Sequence, residues 1–454
     1  MDRLMEQQSA TVPRFVGAKQ AEESHRTVGS GSRWAWAEPS VWTARMLQAL
    51  EQGVKGGSWF SLIDKVYKRG NLWSSWSKVA ANKGAAGVDH VTVKQYERHV
   101  EKHIEHLTEQ LRAGTYRPKA IRRCYIPKPG SAQGRPLGIP TVQDRVAQGA
   151  LRHVLEPIFE KDFHEHSYGF RPGKGCKDAL RRVQALLDEE YRYVVDADLK
   201  SYFDTIPHQP LLERVSQKVA DGRVLKLIES FLTQGVMEGL DEWTPASGAP
   251  QGAVLSPLLS NVYLDPLDHL MARQGFQMVR YADDFVILCQ SQQEAERALA
   301  EVQRWTAQAG LTLHPEKTRI VDERQAGFDF LGYHFGHGQR EPRKKSLNKL
   351  KDTIRDKTPR LNGTPMFCII GTVNHTLRGW FGYFKHSRRE TFAPLDAWVR
   401  MRLRSILRKR HGGRGRGRGH DHYRWPNAYF AKLGLFSLLR AHDLVCQSAR
   451  TETH

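Results

Sequence analysis

No apolar run in the sequence approaches the roughly 18 residues a membrane-crossing helix needs, so no segment is expected to span a membrane. The first fifteen residues, MDRLMEQQSATVPRF, carry no apolar block, and secretion is not expected. Cysteine is scarce. The five residues Cys124, Cys176, Cys289, Cys368 and Cys446 are far apart and never in CxxC spacing. That excludes a disulfide framework and a structural zinc site, and each is expected to be a small buried hydrophobe. Acid is short too: 49 Asp and Glu stand against 69 Lys and Arg, a net charge of +20. The deficit is local. From Arg343 to His454 there are 25 basic and 7 acidic residues, whereas the first 342 residues hold 44 and 42. A near-neutral body joined to a basic end is expected to meet a polyanion, most simply nucleic acid; a solvated basic surface is the plain alternative. Reduced, unpaired cysteines of this kind are expected in the cytosol.

A length of 454 residues suggests about two to four domains. Residues 1–40 are polar and read as a flexible segment, and residues 41–90 as a helical amino-terminal extension. Tyr96, Val100, Ile104, Leu107 and Leu111 form one stripe and predict a helix over 92–111, with Gly114 to stop it. RRCYIPKPGSAQGRPLGIP reads as strand, Pro/Gly/Lys loop and strand. Further helices are expected over about 142–163, through Leu180 to Leu187, and over 210–219, 224–233 and 294–309. YVVDADL reads as a strand, MVRYADDFVILC as strand–turn–strand, and a short strand pair is expected near Arg319 and Phe330. Helices and strands alternate without a regular βαβ period, which gives an α+β class. After Gly332 the strand signal ends, and residues 346–410 read as Lys- and Arg-rich helices. GGRGRGRGHDH is low in complexity and is expected to be flexible.

The sharpest chemistry lies in two acidic centres. Asp196 and Asp198 close an apolar strand, and Asp283 and Asp284 sit between two apolar strands. Neighbouring carboxylates repel and are costly near a core unless a cation neutralises them. Their hard oxygens suit Mg²⁺, and two such ions about 4 Å apart can clamp the attacking and leaving oxygens of a phosphoryl transfer. For a lone Asp-Asp pair the plain alternative is a solvated turn. Lys128 and Arg135 flank a Gly-rich loop, where backbone can approach phosphate and two cations can neutralise a triphosphate. Arg378, Trp380, Tyr383, Lys385, Arg388 and Arg389 interleave cations with rings, a pattern that pairs phosphates and stacks unpaired bases. A helical core with a charged outer face is the alternative there, and both are expected on different faces. Arg414, Arg416 and Arg418 alternate with glycine, as in flexible tracts that hold RNA electrostatically.

YADDF, with VVDADLKSYFD before it and SGAPQGAVLSPLLSNVYL between, resembles the palm of a reverse transcriptase. NKGAAGVD, IPKPGSAQGRPLGIPTVQDR, HSYGFRPGKG, LTLHPEKTRI and FLGY stand in the order found in group II intron-encoded proteins. NHTLRGWFGYF followed by LDAWVRMRLRSILRK is similar to the thumb/maturase region of that family. The resemblance implies a right-hand polymerase. Fingers and palm would cover 91–335, an α-helical thumb/maturase domain 343–410, and a basic DNA-binding tail 411–454. It implies Asp198 and Asp283 as metal ligands, with Asp284 in a supporting role, and two Mg²⁺ ions as cofactors. Lys128 and Arg135 would contact the triphosphate, Gln251 the nucleotide or template, and Lys317 the pyrophosphate leaving group. Phe203 matches the bulky gate whose ring would clash with a ribonucleotide 2′-hydroxyl. Arg171 would touch template backbone or support its loop. The implied activity is RNA-templated DNA synthesis for a group II intron, with splicing assistance and target-primed mobility. The implied partners are the intron RNA, a DNA target or primer and dNTPs, with no membrane; a homodimer stays open. No CxxC supports the terminal His-Asn-His nuclease that many relatives carry. Two rivals remain: a host-adopted reverse transcriptase in defence or repair, and a maturase that binds RNA without polymerising.

Overall fold

A computed structural model describes residues 33–54, 56–127, 134–361, 363–417 and 419–451. Lys128, Arg418 and residues 1–32 of the expected flexible segment lie outside the described residues. Strands in chain order are β1 Ile121–Ile126, β2 Arg135–Ile139, β3 Tyr193–Asp198, β4 Val236–Glu238, β5 Asp241–Trp243, β6 Gln277–Tyr281, β7 Asp284–Cys289, β8 Arg319–Asp322, β9 Phe328–Phe330, β10 Tyr333–Gly336 and β11 Gln339–Pro342. The chain forms two compact units, one of Met1–Asp162, Leu212–Pro245 and Gly252–Leu255, the other of Phe163–Leu211, Ala246–Gln251 and Ser256–His454. The expected stretch 91–335 is therefore divided between two units.

The first unit holds a sheet in the order β2-β1-β4-β5, with β1 antiparallel to β2 and parallel to β4. The helix Val142–Glu160 runs through its core, capped by the Thr141 hydroxyl, which accepts from the Asp144 amide at 3.1 Å. Asn71 and Ser75, buried on the helix Arg69–Asn82, donate to the Ala150 and Val146 carbonyls at 2.9 and 2.8 Å. A methyl group at Gly149 would meet Ser75 Oγ at 2.2 Å, so only glycine allows this contact. Packing starts ahead of residue 41, because Trp34 is already 4% exposed. The stripe from Tyr96 to Leu111 is split into Val93–Glu97 and Val100–Ala113, because His99 leaves helical geometry at φ −131°. Gly114, at φ 72°, ends the second helix as its glycine predicts.

The second unit is built on an antiparallel sheet in the order β6-β7-β3-β8. Val194, Val279, Val286 and Leu288 share a core with Leu180, Val183 and Leu187 of the helix Cys176–Asp188. β8 pairs with β3 and β9 with β10, so the strands near Arg319 and Phe330 do not pair with each other. Strand structure also continues past Gly332, as a three-stranded sheet β11-β10-β9. Tyr333 and Phe335 of β10 point inward and share a core with Phe328 and Phe330 of β9, and the Phe335 ring stacks on Phe328. Strands of three or four residues are too short for alternation to show in the sequence.

Beyond β11, the helices Lys344–Lys357, Met366–Phe384, Phe392–Arg410 and Leu438–Thr451 share one core. Trp425, Phe430 and Leu438 belong to it, so residues after 410 pack into the helical domain and do not form a separate tail. Arg404, 2% exposed, donates to the Trp425 carbonyl at 2.8 Å and to Asn427 Oδ1 at 2.7 Å. Asp396 accepts from the amides of Leu438 and Leu439 and caps that last helix. The Arg-Gly tract is docked as well: Gly417 is buried, and its amide donates to Ser405 Oγ at 3.1 Å. The helical-core alternative holds for most aromatic residues of NHTLRGWFGYF. Phe381 and Phe384 are buried, Trp380 packs against the same core, and the Tyr383 hydroxyl donates to the Leu331 carbonyl at 2.7 Å. The cysteines depart from their expected burial, since Cys368 and Cys446 are exposed and Cys289 is buried.

Candidate active site

β3 is the inner strand that carries the first acidic centre. Val195 and Ala197 are buried on one face, and the period-2 alternation leaves Asp196 and Asp198 half-buried on the other, beyond the buried Val194 of that same face. Its register with β7 sets Asp198 directly opposite Asp284. β6 and β7 are joined by the two-residue turn Ala282–Asp283, with Ala282 in the left-handed region at φ 60°. Three carboxyl-bearing residues are thus gathered at one end of two neighbouring strands.

Main-chain pairing carries on past β3. Lys200 N donates to the Thr312 carbonyl at 2.8 Å, and His314 N to the Asp198 carbonyl at 2.7 Å. This lays the segment after Leu311 along the acidic centre and brings the Lys317 ammonium into an ion pair with Asp198. Asp196 faces Arg319 across β8, with the groups 3.5 Å apart. Burial raises the Asp196 carboxyl above its ordinary value, partly offset by Arg319. Asp284 is exposed at the start of β7, with the rest of that strand buried behind it. Desolvation first, then the charges of Asp196, Asp283 and Asp198, pushes it up to about 7.

Phe203 lies on the single helical turn Tyr202–Thr205. Tyr202 is buried and donates its hydroxyl to the Ser260 carbonyl at 2.8 Å, which leaves the Phe203 ring half-exposed. The Phe203 carbonyl accepts from Ala249 N at 2.7 Å, tying down the loop that carries Gln251. Gly248, at φ 100°, permits this approach, since a Cβ there would meet the Phe203 carbonyl at 2.9 Å. Arg135 is exposed at the start of β2 in the first unit.

Arg171 takes the second of its two expected roles, support of its loop, and not the nucleic-acid contact. It is 7% exposed, and its guanidinium donates to the carbonyls of His164, Ser167 and Phe163, holding its own loop. Among the basic residues of the helical domain, Arg388 pairs with Glu341 at 2.6 Å and Arg389 with Asp443 at 2.8 Å. Arg378 lies over the Phe436 ring, while Arg414 and Arg416 are exposed. Sequence reasoning missed a second group beside the turn: Arg280, Asp268, Asn261 and Gly169. The one available signal was a cation inside the apolar strand MVRY.

Residues 126–335 match the family Reverse transcriptase (RNA-dependent DNA polymerase), and residues 347–425 match Group II intron, maturase-specific domain. Protein YkfC of Escherichia coli (strain K12) is 31% identical over 342 residues, which cover 66% of this chain and 85% of that protein. This chain belongs to the group II intron-encoded reverse transcriptase/maturase family. The Group II intron-encoded protein LtrA of Lactococcus lactis subsp. cremoris is 38% identical over 196 residues, 43% of this chain and 32% of LtrA. The aligned region thus spans about a third of that longer relative. A solved telomerase from Candida albicans, in complex with a fragment of telomeric RNA, superposes with a TM-score of 0.40 at 12% identity, over 69% of this chain and 64% of that one. The reverse-transcriptase match takes in the whole carboxylate-bearing sheet, and with it the enzyme class is RNA-directed DNA polymerase. The maturase match ends at Trp425, inside a core that runs on to Leu438. No helix among the described residues is long and apolar enough to cross a membrane.

Proposed function

We propose that Asp198, Asp283 and Asp284 form the catalytic centre of this reverse transcriptase and hold two Mg²⁺ ions. The observation that carries this reading is the register of β3 on β7, which faces Asp198 with Asp284 and puts Asp283 on the adjoining turn. The donors are hard oxygens, and the group already attracts a cation, the Lys317 ammonium on Asp198. Among the described residues no three carboxylate, histidine or cysteine groups stand together as a finished metal cage. The fit therefore rests on donor chemistry and register. Bound Mg²⁺ would supply charge stabilisation to the α-phosphate and the leaving pyrophosphate.

The chain's own residues do the rest. Phe203 presents a ring under the sugar and excludes a 2′-hydroxyl. Lys317, on the rim of the acidic group, supplies a proton to pyrophosphate. Gln251 sits on the loop tied to Phe203 and contacts the nucleotide or template, and Arg135 with Lys128 neutralises the triphosphate. In this reading the helical domain binds the parent intron RNA, assists its splicing and supports mobility by target-primed reverse transcription. Lys385, Arg414 and Arg416, with Arg378, Arg388 and Arg389, are the residues assigned to nucleic-acid contact. Exposed ion pairs such as Arg389–Asp443 are held weakly in water and can open to a phosphate. Sequencing RNA that copurifies with the protein tests the intron assignment, which fails if no intron sequence is enriched.

Two results are expected at this site. Phe203→Ala should relax selection of dNTP over NTP by roughly 10- to 100-fold, measured as a ratio of kcat/KM values. An unchanged ratio would make Phe203 a packing residue only. Divalent-ion binding should weaken as the pH falls through about 7, because a proton on Asp284 competes with the metal. The loss approaches tenfold per pH unit at the acid end for one proton. Mn²⁺ binding followed by paramagnetic resonance from pH 8 to 6 checks this, and Asp284→Asn should flatten the profile.

A further inference from the structure

Arg280 is fully buried on β6, among the largest side chains in the protein without solvent contact. A guanidinium is costly to desolvate, so what it holds in return matters. Asp268, on the helix Ser256–Arg273, takes part of it: Asp268 accepts from Arg280 Nε at 2.8 Å and also from Nη2. Nη1 is left over, and it donates to Asn261 Oδ1 and to the Ala282 carbonyl, each at 2.9 Å. That carbonyl belongs to the turn that carries Asp283. Ala282 stands at φ 60°, a conformation that costs a residue with a side chain and persists only when its surroundings hold it.

The same turn is gripped from another side. Tyr168 N donates to the Arg280 carbonyl at 2.8 Å, and Arg280 N to the His166 carbonyl at 3.0 Å. A Cβ on Gly169 would lie 2.2 Å from Ala282 N, so the glycine lets this segment close on the turn. Asn261 joins the two grips, since its Nδ2 donates to the Gly169 carbonyl at 2.8 Å while its Oδ1 accepts from Arg280. We infer that Arg280 is a positioning residue: with Asp268 and Asn261 it clamps the strained Ala282–Asp283 turn and so fixes the aim of the catalytic carboxylates. The inference rests on the reading that Asp283 carries the chemistry.

The test uses the full chain with Asn261→Ala and Arg280→Lys. Active-site titration is combined with single-turnover primer extension, template–primer affinity and a thermal melt. Asn261→Ala leaves Arg280 paired with Asp268 and is expected to fold; Arg280→Lys keeps the charge but lacks the fork that reaches both Asp268 and the turn. The rate per active site should fall about 10- to 100-fold, with template–primer affinity within about twofold. A merely structural role would lower the melt and the count of active sites while leaving the rate per site unchanged. A rate per site within about twofold of the parent in Asn261→Ala overturns the inference, whether or not Arg280→Lys folds. Asp283→Asn is assayed in parallel. If it also extends primers, the assignment of Asp283 fails; if it is dead while the clamp variants are normal, only the clamp fails.

Discussion

Asp283→Asn is expected to abolish primer extension, with kcat falling on the order of a thousandfold or more, while RNA affinity changes by no more than about a few-fold. The substitution keeps the size of the side chain and removes a charge from the group that would neutralise the metal. It leaves the ladder of β3 on β7 intact, because Asp283 lies in the turn between β6 and β7 and outside both strands. The Lys317–Asp198 ion pair and the Arg280–Ala282 hydrogen bond remain, so the melt should not move. The basic helical domain is untouched, which is why binding should persist. Primer extension and RNA binding measured on one preparation decide it. Full extension would remove Asp283 from the site.

Ending the chain after His411 is expected to unfold the helical domain and with it the synthesis of DNA. Composition argued the other way, since a basic Gly-rich end looks dispensable for polymerisation. The fold reverses that expectation. Phe430 and Leu438 are fully buried and Trp425 is 7% exposed, all in one core with Ile370, Leu377 and Leu403. Losing one large buried ring costs about 3–5 kcal/mol, against a total stability of about 5–15 kcal/mol for a domain. Truncation removes several such side chains and strips Arg404 of both its acceptors. The helix Met366–Phe384 contributes to this core and, through Phe384, to the core beneath the carboxylate-bearing sheet, so the damage should reach the polymerase. Phe430→Ala is the milder version and should lower stability by about 3–5 kcal/mol in a denaturant melt. A truncated protein that melts like the full chain and still extends primers would show that these contacts contribute little.

Local patterns announced the acidic hairpin. YADDF lies between two apolar runs of strand length, and the residues that make the turn and its acids are contiguous. VVDADL likewise carries its own burial pattern, with Val194, Val195 and Ala197 buried and Asp198 at the open end. Such features depend on neighbours one or two residues away, which the sequence lists directly. The clamp was not legible for the opposite reason. Arg280 finds Asp268 twelve residues away and Asn261 nineteen away, and Asn261 meets Gly169 across 92 residues. Each of these looks ordinary in its own segment. The carboxyl-terminal aromatics were legible only in part. Cations between the rings of NHTLRGWFGYF left a base-stacking surface and a helical core both open, and helical geometry turns Leu377, Phe381 and Phe384 inward.

By itself the sequence determined the reaction class and the helical, basic character of the last quarter, and it singled out the acidic residues proposed for the site. Those follow from residue type and short spacing. Tertiary structure alone decided which cations are committed to the protein, as Arg171, Arg280 and Arg404 are, and which face solvent, as Arg414 and Arg416 do. It also decided that the end of the chain is core and that Lys317 meets Asp198. The physical reason is desolvation. A charge has the same letter whether it is buried or wet, and its role depends on the distant groups that fold around it.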